Sequence, residues 1–205
     1  VTVNEADTAN NTGSFADVGD EIVTITSSAG TVTQAGSQSG TWSWSFDTTD
    51  GPDESQTVTI TATDSDGAVS TTTFALVVNN VAPTVDAGAD ASLTEGDTFT
   101  QAGSFADPGA DTWTATVDYG EGDGPAPLVL SGNAFNLSNL YEDDGVYTVS
   151  VTVTDSDGAS TTDTVTVEVV NAPPTVAADA ASLTVNESDT AGNSGTFGDV
   201  GDDTV

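Results

Sequence analysis

Apolar and polar residues alternate along short stretches of this chain with a period of two. Val58-Thr59-Ile60-Thr61-Ala62-Thr63 and Val149-Ser150-Val151-Thr152-Val153-Thr154 place aliphatic residues at every second position and hydroxyl residues between them. Successive side chains of an extended strand point to opposite faces, so this period predicts half-buried β-strands and not helices. Trp42, Trp44 and Phe46 alternate with Ser43 and Ser45 in the same way, giving one aromatic and one polar face. Each Val/Thr run leads into a turn, Thr63-Asp64-Ser65-Asp66-Gly67-Ala68 or Thr154-Asp155-Ser156-Asp157-Gly158-Ala159, and a further Thr/Val run then ends at Asn80 or Asn171. Two runs joined by Asp-Gly predict a hairpin, because glycine accepts the positive φ of a tight turn.

The two turns lie 91 positions apart, and other stretches recur with them. Val3-Asn4-Glu5-Ala6-Asp7-Thr8 returns as Val185-Asn186-Glu187-Ser188-Asp189-Thr190, with Glu95-Gly96-Asp97-Thr98 between them. Gly13-Ser14-Phe15-Ala16-Asp17-Val18-Gly19 returns as Gly103-Ser104-Phe105-Ala106-Asp107-Pro108-Gly109 and as Gly195-Thr196-Phe197-Gly198-Asp199-Val200-Gly201. The linkers Asn80-Val81-Ala82-Pro83-Thr84-Val85 and Asn171-Ala172-Pro173-Pro174-Thr175-Val176 also agree. A period of about 90 residues predicts repeats at 1–82, 83–173 and 174–205. The first would lack the lead-in of its first strand and the last would be only an opening, as expected of a segment from a longer array.

About seven short strands per repeat, separated by Gly, Asp, Asn and Pro, predict an all-β chain of tandem immunoglobulin-like β-sandwiches strung like beads. In the second repeat they are expected near 84–94, 98–105, 112–119, 127–130, 134–138, 146–154 and 160–170. Its core is expected from Phe105, Trp113, Phe135, Leu137, Leu140, Tyr147, Val149 and Val151. Trp42 and Trp44 read as core of the first repeat; an exposed aromatic platform for carbohydrate is the alternative that spacing leaves open.

Composition narrows the function. The chain holds 33 acidic residues and no Lys, Arg or His, a formal net charge of −33. No side-chain salt bridge can form, so crowded carboxylates must be solvated, screened by salt or neutralised by bound cations. Nucleic acid and anionic membrane surfaces are poor partners, since their recognition is built on Lys and Arg. No apolar run approaches membrane-spanning length. With neither His, Cys nor Lys, most nucleophile–base arrangements are impossible, and acids that recur in every repeat argue for structure over a glycosidase pair. The chain reads as no enzyme.

Asp118-Tyr119-Gly120-Glu121-Gly122-Asp123-Gly124, then Gly145-Val146-Tyr147-Thr148-Val149 and Thr152-Val153-Thr154-Asp155-Ser156-Asp157-Gly158, resemble a PKD (polycystic kidney disease) domain. That family carries a W-D-F-G-D-G strand end and a Y-T-V-x-L-x-V-x-D-x-x-G strand pair. The resemblance covers most of 98–170 and implies an immunoglobulin-like sandwich of large bacterial or archaeal surface proteins, adhesins and secreted enzymes. The first repeat departs from the pattern, with no equivalent of Asp118-Tyr119-Gly120 and with Gln56 where Tyr147 is expected. It is more similar to the generic repeats of giant bacterial adhesins, which share D-x-D-G hairpins. Neither resemblance implies catalysis.

The acids suggest a cation. In an immunoglobulin-like sandwich, one pole carries the B–C and F–G loops and the other the A–B and E–F turns. The junction at Asn80 would therefore gather Glu5, Asp7, Asp50, Asp53 and Glu54 from one repeat with Asp107, Asp111, Asp155 and Asp157 from the next. The junction at Asn171 would gather Glu95, Asp97, Glu142, Asp143 and Asp144 with Asp199, Asp202 and Asp203. Asp64 and Asp66, in the first hairpin turn, are candidates by analogy with Asp155 and Asp157. The layout is similar to cadherin junctions, where acids of two domains and an Asn-containing linker hold calcium. Calcium takes six to eight oxygen ligands in flexible geometry, whereas zinc favours the missing His and Cys. Two other readings compete: Asp and Asn are ordinary turn formers, and exposed acids hydrate a surface adapted to high salt.

The sequence thus reads as an extracellular spacer or fibre segment, stiffened by calcium where repeats meet. Its expected partners are neighbouring repeats and other copies of the chain. Glycans are a further candidate, at sequons such as Asn10-Asn11-Thr12, Asn136-Leu137-Ser138 and Asn186-Glu187-Ser188. A carbohydrate- or receptor-binding module and an accessory domain of a secreted hydrolase are the alternatives.

Overall fold

In the computed structural model, which describes residues 1–201, the alternating runs are strands and no helix occurs among the described residues. The first repeat contains β1 (Thr2–Asn4), β2 (Thr8–Ala16), β3 (Thr24–Ser27), β4 (Thr31–Ala35), β5 (Ser39–Asp47), β6 (Gln56–Thr63) and β7 (Val69–Asn79). They form two sheets, ordered β1-β7-β6-β3 and β2-β5-β4, with β1 running parallel to β7. Ala9, Ile25, Trp42, Trp44, Val58, Ile60, Leu76 and Val78 meet in one core between them. Burying each large apolar side chain contributes about 1.5–3 kcal/mol. Trp44 donates its Nε1–H to the Ala29 carbonyl at 2.6 Å, which satisfies its polar atom in the core. Trp42 and Trp44 are only 7% and 1% exposed, so the aromatic platform for carbohydrate is ruled out: the aromatic face of β5 is the packed face.

The second repeat contains β8 (Thr84–Asp86), β9 (Ala91–Thr94), β10 (Thr98–Ala106), β11 (Thr114–Asp118), β12 (Ala126–Leu128), β13 (Leu130–Ser131), β14 (Ala134–Leu140), β15 (Gly145–Thr154) and β16 (Ser160–Val170). Its sheets are ordered β13-β14-β10-β8 and β12-β11-β15-β16-β9. The single strand expected at 84–94 is two strands in different sheets. The chain crosses at Gly88, whose φ of 97° admits the kink, and the Gln101 Nε2 amide holds the crossing by donating to the Ala87 and Ala89 carbonyls.

The core of this repeat also needs a correction. Leu140 is 46% exposed and Tyr141 fully buried. Strand parity gives the reason: Phe135 and Leu137 face inward, so Tyr141 shares their face and Leu140 does not. Tyr147 and Trp113 are half-buried. Tyr147 packs on Tyr141 at a ring-centroid distance of 4.4 Å. The Tyr141 hydroxyl donates to the Tyr119 carbonyl at 2.9 Å. Burial and the nearby Glu121 push its pKa up to about 12.

In the third repeat β17 (Thr175–Ala178) pairs with β18 (Gly195–Gly198) antiparallel. The chain divides into two compact units. The first comprises Val1–Thr84 with Ala106–Trp113 and Thr154–Thr161; the second comprises Val85–Phe105, Thr114–Val153 and Thr162–Val205. None of the described residues forms a helix long and apolar enough to cross a membrane.

Candidate metal centre

The D-S-D-G turns use their first aspartate to build the hairpin. Asp64 Oδ1 accepts the N–H groups of Asp66 (2.9 Å) and Ala68 (2.8 Å), and Gly67 takes φ 92°. Asp155 Oδ1 likewise accepts the Ala159 N–H at 2.8 Å, while its Oδ2 accepts from the Asn80 side-chain amide at 3.0 Å. Asp66 and Asp157 are exposed. Asp64 and Asp66 belong to no carboxylate cluster among the described residues. In the first repeat these acids turn the chain.

The Glu-x-Asp turn, which precedes β2 and β10 and recurs at 187–189, is built differently. Its middle residue is left-handed in all three copies, with φ 61° at Ala6, 79° at Gly96 and 74° at Ser188. In the first two copies the glutamate is carried inward, while Glu187 of the third is exposed. Glu5 is 2% exposed and Glu95 3% exposed. Glu5 Oε1 accepts the Val81 N–H at 2.7 Å and its Oε2 the Gly51 N–H at 3.1 Å. Glu95 Oε1 accepts the Ala172 N–H at 2.8 Å. Both glutamates thus clamp the linker that follows their own repeat, a role the sequence reading missed. The signal was present in the nearly equal spacing of each glutamate from the linker residue it holds, 76 and 77 positions.

Within the first unit, carboxylate oxygens of Glu5, Asp50 and Asp111 lie within 4.8 Å of one another. Asp111 is 7% exposed. Its Oδ1 accepts from Ser156 Oγ at 2.8 Å, and its Oδ2 has no hydrogen-bond partner among the described residues. The buried Oδ1 of Asn80 is likewise unpartnered. Gly109 leaves open the space these oxygens face: a β-carbon there would fall 2.3 Å from Asp111 Oδ2 and 2.6 Å from Glu5 Oε2. The crowding shows in the carboxyl acidities. Burial, then Asp111, Asp53 and Glu54, raise Asp50 above the usual 3.8. Burial, then Asp111, Asp50, Asp53 and Asp155, raise Asp157. Every donor is an oxygen, a set suited to a hard cation.

The other acids expected there are engaged or outlying. Asp107 accepts from Trp113 Nε1 at 2.9 Å and from the Gly109 N–H at 3.5 Å. Glu54 accepts from the Thr49 N–H, the Thr49 hydroxyl and the Asp50 N–H. Asp7 and Asp53 are exposed. In the second unit, Glu95, Asp143 and Asp144 bring carboxylate oxygens within 4.8 Å of one another. Asp97 closes its own turn on the Thr94 N–H, Asp199 accepts the Val200 N–H, and Asn171 is exposed. Asp202 and Asp203 lie outside the described residues.

Residues 80–169 match the model of the PKD domain family. No curated protein sequence matches the chain. Among solved structures it is similar to titin domains I67–I69 in an E-to-A mutated variant, at 10% identity and a TM-score of 0.41, over 82% of this chain and 62% of that one. It is similar to Protocadherin Gamma B2 extracellular cadherin domains 1–5, at 13% identity and a TM-score of 0.40, over 97% and 44%. It is also similar to Sidekick-1 immunoglobulin domains 1–5, at 14% identity and a TM-score of 0.36, over 84% and 38%. The chain spans less than two thirds of each of these three.

Proposed function

We propose, from the premise that residues 80–169 are a PKD-type immunoglobulin-like repeat, that the chain is a non-catalytic spacer segment of an extracellular or cell-surface protein and that calcium stiffens it. In this reading Glu5, Asp50 and Asp111 hold the ion, with the Asn80 side-chain oxygen and Asp157 completing the oxygen shell. The ion ties the loops Ala106–Trp113 and Thr154–Thr161 to the turns of the first repeat. Self-association into filaments or matrix is part of the same reading.

One observation carries it: Asp111 Oδ2 is buried and unpartnered beside two further carboxylates, in a chain with no cationic side chain. A buried charge without a partner is costly, and a divalent cation supplies the missing countercharge. The test is thermal unfolding in EDTA, calcium, magnesium and sodium chloride at matched ionic strength. Calcium is expected to raise the midpoint well beyond the other salts, because an ion that binds only the folded state stabilises it. An equal rise in every salt would mean screening alone and would overturn the reading. Small-angle scattering on the same samples tests the stiffening, which requires a narrower range of extensions in calcium.

A further inference from the structure

The loop that follows β2 recurs after β10 and after β18, and its surroundings differ between the three copies. In the second repeat, Gly109 packs against the carboxylates of Asp111 and Glu5, and the Ala110 N–H donates to the Thr49 carbonyl at 2.9 Å. In the third, Val200 sits in a notch with Gly96, Leu140 and Glu142. Its Cγ1 would lie 2.3 Å from a β-carbon on Gly96, and Gly201 packs against the Glu142 carbonyl and the Glu95 carboxylate.

In the first repeat the same loop has the same local build. Asp17 Oδ1 accepts the Val18 N–H at 2.7 Å, as Asp199 Oδ1 accepts that of Val200 at 3.0 Å. Gly19 lies beside the Glu21 carboxylate as Gly109 lies beside that of Asp111. Yet Val18 is 94% exposed and Ile22 64% exposed, against 48% for Val200. A loop shaped like its third-repeat counterpart, with Gly19 at φ 129° as Gly201 is at 103°, carries an uncovered valine where Val200 is about half covered, and an acid at the position of Asp111.

We infer that the loop Asp17–Val23 is a docking face for the turn end of another immunoglobulin-like repeat joined ahead of Val1. Val18 enters a notch like that of Gly96 and Leu140, and Glu21 supplies this side's ligand to a bridging divalent cation. The occupant is a repeat of the 83–173 kind. Such a repeat presents an inward glutamate on a Glu-x-Asp turn beside the acids of its E–F turn, as Glu95 stands beside Asp143 and Asp144. The cation component rests on the calcium reading above; the apolar seat does not.

The test exploits the absence of cysteine. A Val18→Cys substitution places a single thiol in an exposed loop, and residues 83–182 are fused ahead of Val1 to supply the occupant. In calcium, the thiol of the extended chain is expected to react with a thiol reagent at least about tenfold more slowly than that of the unextended chain, since access limits the rate. EDTA, or Glu21→Gln, is expected to restore the rate. Calorimetry on extended chains without the thiol should find one more calcium site than on unextended ones. Equal reactivity in both chains overturns the inference, provided the unextended chain binds calcium. If the unextended chain binds none, the calcium reading fails, and protection that persists in EDTA then upholds the docking face without its ion. Protection in the unextended chain that grows with protein concentration would make a second copy the occupant and overturn the joined repeat.

Discussion

The carboxylate of Glu5 accepts the backbone N–H of Val81 at 2.7 Å, across 76 positions of sequence, and its other oxygen accepts that of Gly51 at 3.1 Å. Glu5 therefore holds the linker whether or not an ion is bound. Glu5→Gln replaces one acceptor by an amide donor that faces an N–H. Hydrogen bonds to a charged group contribute about 1.5–3 kcal/mol each. The variant is expected to unfold several degrees earlier in EDTA, seen as a lower midpoint by circular dichroism, and to lose the response to calcium. An unchanged midpoint in EDTA would remove the clamp.

Gly109 tests the site without touching a carboxylate. A methyl group at that position occupies the space faced by Asp111 Oδ2 and Glu5 Oε2. Gly109→Ala is expected to weaken calcium binding by about tenfold or more, equivalent to about 1.4 kcal/mol. Gly192→Ala, which meets nothing within 4 Å, should leave the isotherm unchanged. Wild-type affinity in Gly109→Ala would place any ion elsewhere.

Asp64 separates turn chemistry from metal chemistry. Its Oδ1 serves the N–H groups of Asp66 and Ala68 and joins no carboxylate cluster among the described residues. Asp64→Ala is expected to cost about 1–2 kcal/mol, as for the loss of a helix-capping acid, and to cost the same in EDTA as in calcium. A penalty that vanishes in EDTA would make Asp64 a ligand after all.

Acid should help the metal-free protein. Asp50 and Asp157 have folded-state pKa values raised above 3.8, so the folded state binds protons more tightly than the unfolded state does. Their contribution to stability is fully present below 3.8 and is lost as pH rises through the raised values. In EDTA the unfolding midpoint is therefore expected to increase as pH falls from 7 toward 3.8. Asp50→Asn should flatten that slope. In calcium the trend should reverse, because protons compete with the ion for the same oxygens.

Much of this architecture was legible because a period of two states which face each residue takes. Alternation put Val58 with Ile60 and Trp42 with Trp44 on shared faces, and only the burial of Trp42 and Trp44 decided that theirs is the packed one. Leu140 was misjudged by reading hydrophobicity without parity: Phe135 and Leu137 fix the inward face, and it passes to Tyr141. The change of sheet at Gly88 was hidden because its cause is a distant side chain, Gln101. Among the acids, sandwich topology brought Glu5, Asp50 and Asp111 to one pole, but charge alone could not separate them from Asp107 and Asp64. Those two differ only in which local N–H groups lie within reach. The importance of Gly109 had no signal in a single sequence, since its role is to leave space.

The parallel pairing of an early strand with the last one in the first two repeats decides how they meet a pull along the chain. Thr2, Val3 and Asn4 register with Val77, Val78 and Asn79; Ala91 to Thr94 register with Val167 to Val170. Force applied to the two ends of such a repeat drags these partners past each other in shear. All the hydrogen bonds of the patch are then loaded together, where a hairpin pulled from its open end would lose them one at a time. With four registered pairs against three, the second repeat should rupture at the higher force when single molecules are stretched.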